Sequence, residues 1–297
     1  MARIIEAKTI LSKYKDAPDS WFGLTYAMNL YRGCQHQCIY CDSRSECYQL
    51  GNLSDIRIKK DALLILEKEL KSKRQKGTIG FGSMNDPYMP VEAKEELVRG
   101  ALSLILKYNF PVHLLTKSDL IVRDIDIIKQ ISAKSYAAAS LTITTINDEL
   151  SSIIEPAAPR SSARFEAIKK LSENGIYTGV MLMPVLPFIN DTWEEIEQLI
   201  YKAKESGARY ILFMAGLTLR KGSRDYFYEK LDKHFPQIKE KYINTFGDNY
   251  LCNSLSANNL YKNASSLCNK INLPMKLDFY NPDKDKQLLM DFSFTLM

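Results

Sequence analysis

From Leu24 to Gly216 the chain alternates short β-branched or apolar runs with longer amphipathic segments, one unit about every thirty residues. Six runs fit strands: LTYAMNLY from Leu24, TIGFGS from Thr78, VHLLTK from Val112, SYAAASLTI from Ser135, YTGVMLMP from Tyr177 and ARYILFMAG from Ala208. Runs that are apolar throughout suit strands buried on both faces, and helical crossovers connect parallel neighbours. An α/β fold follows: a parallel sheet covered by helices, either open or closed like a TIM barrel, with fewer units than the eight of a full barrel.

The connecting helices carry start and stop signals. Thr192 with Glu195 makes a capping-box pattern, and Gly207 stands where a left-handed cap would close the same helix. In the segment from Ser162, the residues Phe165, Ile168 and Leu171 share one helical face, which Asn174-Gly175 ends. From about Leu219 the text turns aromatic and lysine-rich (DYFYEKLDKHFPQIKEKY), then rich in Asn and Ser, then briefly apolar. The expected organisation is a lead-in over 1–23, the repeating α/β body over 24–218 and a C-terminal helical extension over 219–297, packed on that body.

With 297 residues, 45% of them apolar and 25% charged, the chain can bury a sizeable core. Its net charge of +5 comes from 40 basic and 35 acidic residues that are interspersed, which permits a polyanionic partner without demanding one. No stretch approaches the roughly 20 apolar residues of a bilayer crossing, so no membrane partner is expected. The N-terminus MARIIEAKTILSKYKD lacks the apolar centre of a secretory signal, and a cytoplasmic location is the expectation.

Half of the six cysteines fall in YRGCQHQCIYC, as Cys34, Cys38 and Cys41. In a reducing compartment such a cluster binds metal or reacts, rather than forming disulfides. Gly33, Gln35, His36 and Gln37 make the segment a polar loop and not a core face. Three thiolates on one loop can hold three irons of a [4Fe-4S] cluster and leave the fourth open to a small molecule. A zinc ion with Cys47 or His36 as fourth ligand is the alternative, although zinc sites usually show two ligand pairs across a longer gap.

CxxxCxxC with Tyr40 before its last cysteine, directly after the first strand of a βα series, resembles the signature of radical S-adenosylmethionine (SAM) enzymes. GSMNDPYMPVE (82–92), LLTKSDLIVRDIDII (114–128), SLTITTINDELSSIIEPAAPRSSARFEAIKKL (140–171) and GVMLMPVLP (179–187) resemble the spore photoproduct lyase-like branch of that superfamily, which is associated with DNA repair. The resemblance implies a partial (βα)6 TIM-type barrel. It also implies a [4Fe-4S] cluster on Cys34, Cys38 and Cys41, with SAM on the open iron. Reductive cleavage of SAM to a 5′-deoxyadenosyl radical would need an electron donor such as flavodoxin or ferredoxin.

Carried over position by position, the resemblance makes Lys117 the contact of the SAM carboxylate and sets Asn85 in the place of a SAM-contacting serine. Thr142, with Ser140 beside it, becomes a contact on the fourth strand, and Arg164 matches an arginine of the following helix. Tyr40 and Met183 join the SAM-binding set. Met181 and Met183 share a strand face that suits an apolar wall for adenine or plain core. These segments fall at the C-terminal ends of the expected strands, where parallel barrels build their sites.

One departure bears on the reaction. The spore photoproduct lyase returns a hydrogen atom from a cysteine, and alignment through the shared Asp-Pro puts Ser83 in that place, whose O–H bond is too strong for the task. Cys47 and Cys252 are the candidate replacement donors, while Cys268 reads as core. Among 17 tyrosines, Tyr31, Tyr88 and Tyr136 lie near strand ends, where they could stack on a base or fill the core. By family analogy the expected substrate is a nucleic acid, with a peptide, RNA or small metabolite as the other class. A non-catalytic zinc or iron–sulfur module that binds nucleic acid is the remaining reading.

Overall fold

The computed structural model describes residues 2–282. All six expected strands form: β1 (Tyr26–Met28), β2 (Ile79–Phe81), β3 (Val112–Thr116), β4 (Ala137–Thr142), β5 (Tyr177–Leu182) and β6 (Tyr210–Phe213). They run parallel in the order of the chain, and Leu11–Lys13 adds an antiparallel strand beside β1. β1 and β6 are not paired with each other, so the barrel is partial. The register from Val112 opposite Ala137 to Thr116 opposite Leu141 brings the residues that follow β3 and end β4 to one rim.

Helices α1 (Ala62–Ser72), α2 (Leu97–Lys107), α3 (Ile125–Lys134), α4 (Ser161–Glu173) and α5 (Trp193–Glu205) make the crossovers. Their apolar stripes are buried against the sheet: Leu66 and Leu70 from α1, Val98, Leu102 and Ile105 from α2, Ile168 and Leu171 from α4. Each such side chain contributes about 1.5–3 kcal/mol by leaving water. β4 is buried at every position, as its uninterrupted AAASLT predicts for a strand covered on both faces. Gly179 on β5 is required by packing, because a Cβ there would lie 2.3 Å from the Tyr210 ring.

The helix signals are met with one exception. Thr192 caps α5 by accepting from the Glu195 amide, and Gly207 adopts φ +84° at the other end. The Glu195 carboxylate, however, receives Thr145 Oγ1 and the Ile146 amide, so it ties α5 to the loop after β4 instead of completing a capping box.

Several strands are too short to show a period in the sequence. Arg3–Ile5, Arg57–Lys59 and Tyr31–Arg32 make a three-stranded sheet, so the run LTYAMNLY divides between β1 and this second sheet. Beyond the barrel, Gly216–Thr218 pairs with Leu251–Asn253, and α6 (Ser223–His234), α7 (Ile238–Phe246) and α8 (Ala257–Lys270) follow. α8 lies on α5 and sends Leu260, Ala264, Leu267 and Cys268 into the main core. The last apolar run of the chain lies outside the described residues. No described helix is long and apolar enough to cross a membrane.

Candidate active site

The cysteine loop leaves the strand Tyr31–Arg32 through Gly33, at φ +86°. A Cβ there would stand 2.7 Å from the carbonyl oxygens of Leu53 and Asp55, so the turn into Cys34 requires glycine both conformationally and sterically. The Cys34 amide donates to Leu53 O at 2.8 Å, and Gln37 Nε2 donates back to Cys34 O at 2.6 Å. Farther along, the Ile39 amide donates to Ile154 O at 2.9 Å and the Ala157 amide to His36 O at 3.1 Å. A loop held at so many points presents its thiols from fixed positions.

All three cysteines are free thiols that line one cavity of about 400 Å³ at the C-terminal rim of the barrel. Cys34 and Cys38 are buried and Cys41 is half-buried. Burial pushes the Cys34 thiol up to about 12, so removal of its proton calls for a cation, which is what a metal ligated by thiolate supplies.

Asp86, after β2, joins this loop to the barrel. Its Oδ1 accepts from Thr116 Oγ1 at 2.6 Å and from the Tyr88 amide at 2.9 Å. Its Oδ2 accepts from the Lys117 amide at 2.6 Å and faces His36 Nε2 at 3.3 Å. His36 Nδ1 lies 3.1 Å from Ala157 O. Burial would raise the Asp86 carboxyl, but His36 and the hydrogen bonds from Thr116 and Lys117 prevail and hold it down at about 2.

Lys117 follows β3 with its ammonium 5.7 Å from the Tyr40 ring centre. Burial works to lower its pKa, yet the neighbouring Cys38, Glu155 and Asp86 raise it, so it stays a cation at neutral pH. The same cavity is lined by Tyr40, Asn85, Thr142, Met181 and Met183, and by Ser83. Asn85 spends its amide on Tyr31 O at 2.6 Å, which leaves its carbonyl oxygen available.

Two residues expected at SAM lie elsewhere. Ser140 is fully buried between His113 Nε2 at 2.7 Å and the Tyr210 hydroxyl at 2.5 Å, and it does not line the cavity. Arg164, also fully buried, pairs with Glu155 at 2.5 Å and donates to Thr142 O at 2.9 Å. Its charge is answered by a carboxylate behind the cavity wall. Sequence reasoning passed over Glu155, whose only local signal is a carboxylate in the proline-rich turn EPAAP.

The two candidate hydrogen donors are not at the cavity either. Cys47 is exposed on the outer side of the loop, 3.9 Å from Arg220 Nη1, because the short helical turns over 42–48 carry it outward. Cys252 is fully buried in a strand opposite Leu217 and does not line the cavity, although it shares an apolar cluster with Cys38 and Tyr40 as well as Phe227, Leu231 and Tyr242. Cys47 faces outward and offers no fourth zinc ligand, whereas His36 lines the cavity, with Nε2 3.3 Å from Asp86 and Nδ1 3.1 Å from Ala157 O. Among the described residues, no group of three His, Cys, Asp or Glu side chains is gathered as a site for one metal ion. A multi-iron cluster, ligated at separate corners, asks for no such convergence.

Residues 28–200, more than half of the chain, match the sequence profile of the family described as the Radical SAM superfamily. An uncharacterized protein of Methanocaldococcus jannaschii is 33% identical over 238 residues, covering 80% of this chain and 86% of that one. A radical SAM Nalpha-GlyT isomerase of Pseudomonas phage M6 is 24% identical over 146 residues, covering 49% and 30%. In fold the chain is similar to spore photoproduct lyase complexed with dinucleoside spore photoproduct, with a TM-score of 0.66 at 15% identity over 90% of this chain and 78% of that one. The chain therefore belongs to the radical SAM superfamily and is a radical SAM enzyme, with S-adenosylmethionine and an iron–sulfur cluster as the cofactors its family implies.

Proposed function

We propose that Cys34, Cys38 and Cys41 hold a [4Fe-4S] cluster and that SAM lies beside it in the same cavity, where the enzyme acts on a single modified nucleobase or nucleoside. One observation carries this reading: the three thiols, the Lys117 cation and the Met181–Met183 wall share one cavity at the barrel rim. When bound, cluster and SAM supply a 5′-deoxyadenosyl radical. The protein's own part is positional. Lys117 answers the carboxylate of SAM, the Asn85 carbonyl and the Thr142 hydroxyl offer polar contacts, and the methionines form an apolar bed for the adenine. The electron comes from an external donor such as a flavodoxin or ferredoxin.

The substrate class rests on two features. Lys117 is the one Lys or Arg among the described residues that line the cavity, so the interior suits a neutral planar group better than a tract of phosphates. The similarity in fold to a lyase complexed with a dinucleoside photoproduct supports a nucleic-acid component as the target. Ser83 lines the cavity and neither Cys47 nor Cys252 does, so we assign hydrogen-atom donation to neither of these thiols, in contrast to photoproduct reversal.

Anaerobic reconstitution tests the reading. The expected protein carries about four irons per chain, shows an EPR signal that changes when SAM is added, and yields 5′-deoxyadenosine with dithionite. Cys38→Ala should lose the signal and the product; a Cys38→Ala protein that still cleaves SAM would sink the assignment.

A further inference from the structure

We infer that Glu155 is a positioning residue for the cysteine loop, and that its carboxylate cancels the Arg164 charge, which alone would raise the reduction potential of the cluster held there. This rests on the reading of Cys34, Cys38 and Cys41 as cluster ligands. Glu155 directly follows the helix Asp148–Ile154 and is fully buried. It does not line the cavity, so whatever it does for the chemistry passes through its neighbours.

Those neighbours are the loop and Arg164. Tyr40, which stands between Cys38 and Cys41, donates its hydroxyl to Glu155 Oε1. Arg164 Nη1 lies 2.5 Å from Glu155 Oε2, and the guanidinium is fixed by Pro159 O at 2.8 Å and Thr142 O at 2.9 Å. On either side of Glu155 the backbone grips the loop, at Ile154 O through the Ile39 amide and at Ala157 through His36. The turn 154–157 is thus a latch closed on His36, Ile39 and Tyr40, three of the five residues that separate the cysteines.

A latch could be made from apolar side chains, and a buried ion pair is a poor source of stability, since desolvation of the two charges offsets most of their attraction. What this pair provides instead is one negative and one positive charge, fixed beside the loop and shielded from salt. Reduction adds an electron to the cluster. A neighbouring negative charge opposes that step and a positive charge favours it.

Glutamine at position 155 keeps the shape and the bonds, because the Tyr40 hydroxyl can turn to accept from its amide while the amide oxygen receives Arg164. What it removes is the charge.

The experiment measures midpoint potentials and iron release to a chelator on anaerobically reconstituted, full-length protein. Glu155→Gln leaves Arg164 uncompensated, and its potential shifts upward from wild type. Glu155→Gln with Arg164→Met removes both charges and brings the potential back toward wild type, a return that loss of packing alone would not produce. Tyr40→Phe keeps both charges but opens the side-chain latch; it should leave the potential near wild type and lose iron at least threefold faster. A Glu155→Gln potential at or below wild type, or a double variant as high as the single one, overturns the charge role. An unchanged rate of iron release from Tyr40→Phe overturns the latch, and decides the positioning role even if Glu155→Gln does not fold. A wild-type protein that takes up no iron overturns the cluster reading and this inference with it, whereas iron-loaded wild type with the contrary variant results overturns this inference alone.

Discussion

Replacing Asp86 with asparagine offers a sharp test of how the cysteine loop is joined to the barrel. Each carboxylate oxygen accepts one backbone N–H, Oδ1 from Tyr88 and Oδ2 from Lys117. Asparagine has one acceptor oxygen, so either rotamer of its amide points NH2 at a backbone N–H that cannot turn away. One buried donor is then left without a partner, at a cost of about 1–3 kcal/mol. Independently, holding the carboxyl at about 2 instead of its ordinary 3.8 corresponds to roughly 2.5 kcal/mol at neutral pH. The two routes agree on about 2–3 kcal/mol, which for a chain of this size lowers the melting temperature by about 4–10 °C.

The sign with pH follows from the depressed pKa. The contribution of Asp86 is fully present above the unfolded value near 4 and is lost as pH falls through about 2. Thermal unfolding of the metal-free protein, followed by circular dichroism, should show the full gap between wild type and Asp86→Asn from pH 5 to 7, and a narrowing gap below pH 4. A variant that melts within about 1 °C of wild type at pH 7 refutes the reasoning, as does a gap that stays constant down to pH 2.

Two further outcomes follow from the site. Lys117→Met should weaken SAM binding to the reconstituted protein by tenfold or more, equivalent to about 1.4 kcal/mol, as read by equilibrium dialysis; unchanged affinity would remove Lys117 from the SAM contacts. Cys252→Ala should cost about 1 kcal/mol of stability by chemical denaturation, and Cys47→Ala less than about 0.5 kcal/mol, with 5′-deoxyadenosine formation unchanged in both. A Cys252→Ala protein that folds but no longer forms product would bring that thiol back into the mechanism.

The barrel was legible because its strands are covered on both faces. AAASLT and YTGVML carry no charge, as strands with helices over them require, and a continuous uncharged run is a local property of the text. The cysteine spacing was legible for the same kind of reason: three ligands on one loop are close in the chain before they are close in space. Lys117, Thr142 and Met183 came from the family resemblance, and their places at strand ends agreed with it, since the end of a parallel strand points to one rim whatever the details of packing.

What escaped sequence reasoning depends on distance along the chain. Glu155 meets Tyr40 across 115 residues, and Glu195 reaches Thr145 across 50, so neither partner is visible from its own neighbourhood. Arg164 carries the same charge whether it meets a ligand or a buried carboxylate, and only the fold shows that it meets Glu155. Cys47 and Cys252 were candidates because a thiol is defined by its chemistry. Which way each faces was decided by the short helical turns over 42–48 and by a strand pair between Gly216–Thr218 and Leu251–Asn253. By itself the sequence determined the α/β architecture and the loop that can carry the cluster, because both are written in local periodicity and spacing. The tertiary structure alone decided which charges the cavity sees and which are answered behind its wall, because the pairing of buried charges is settled by long-range packing.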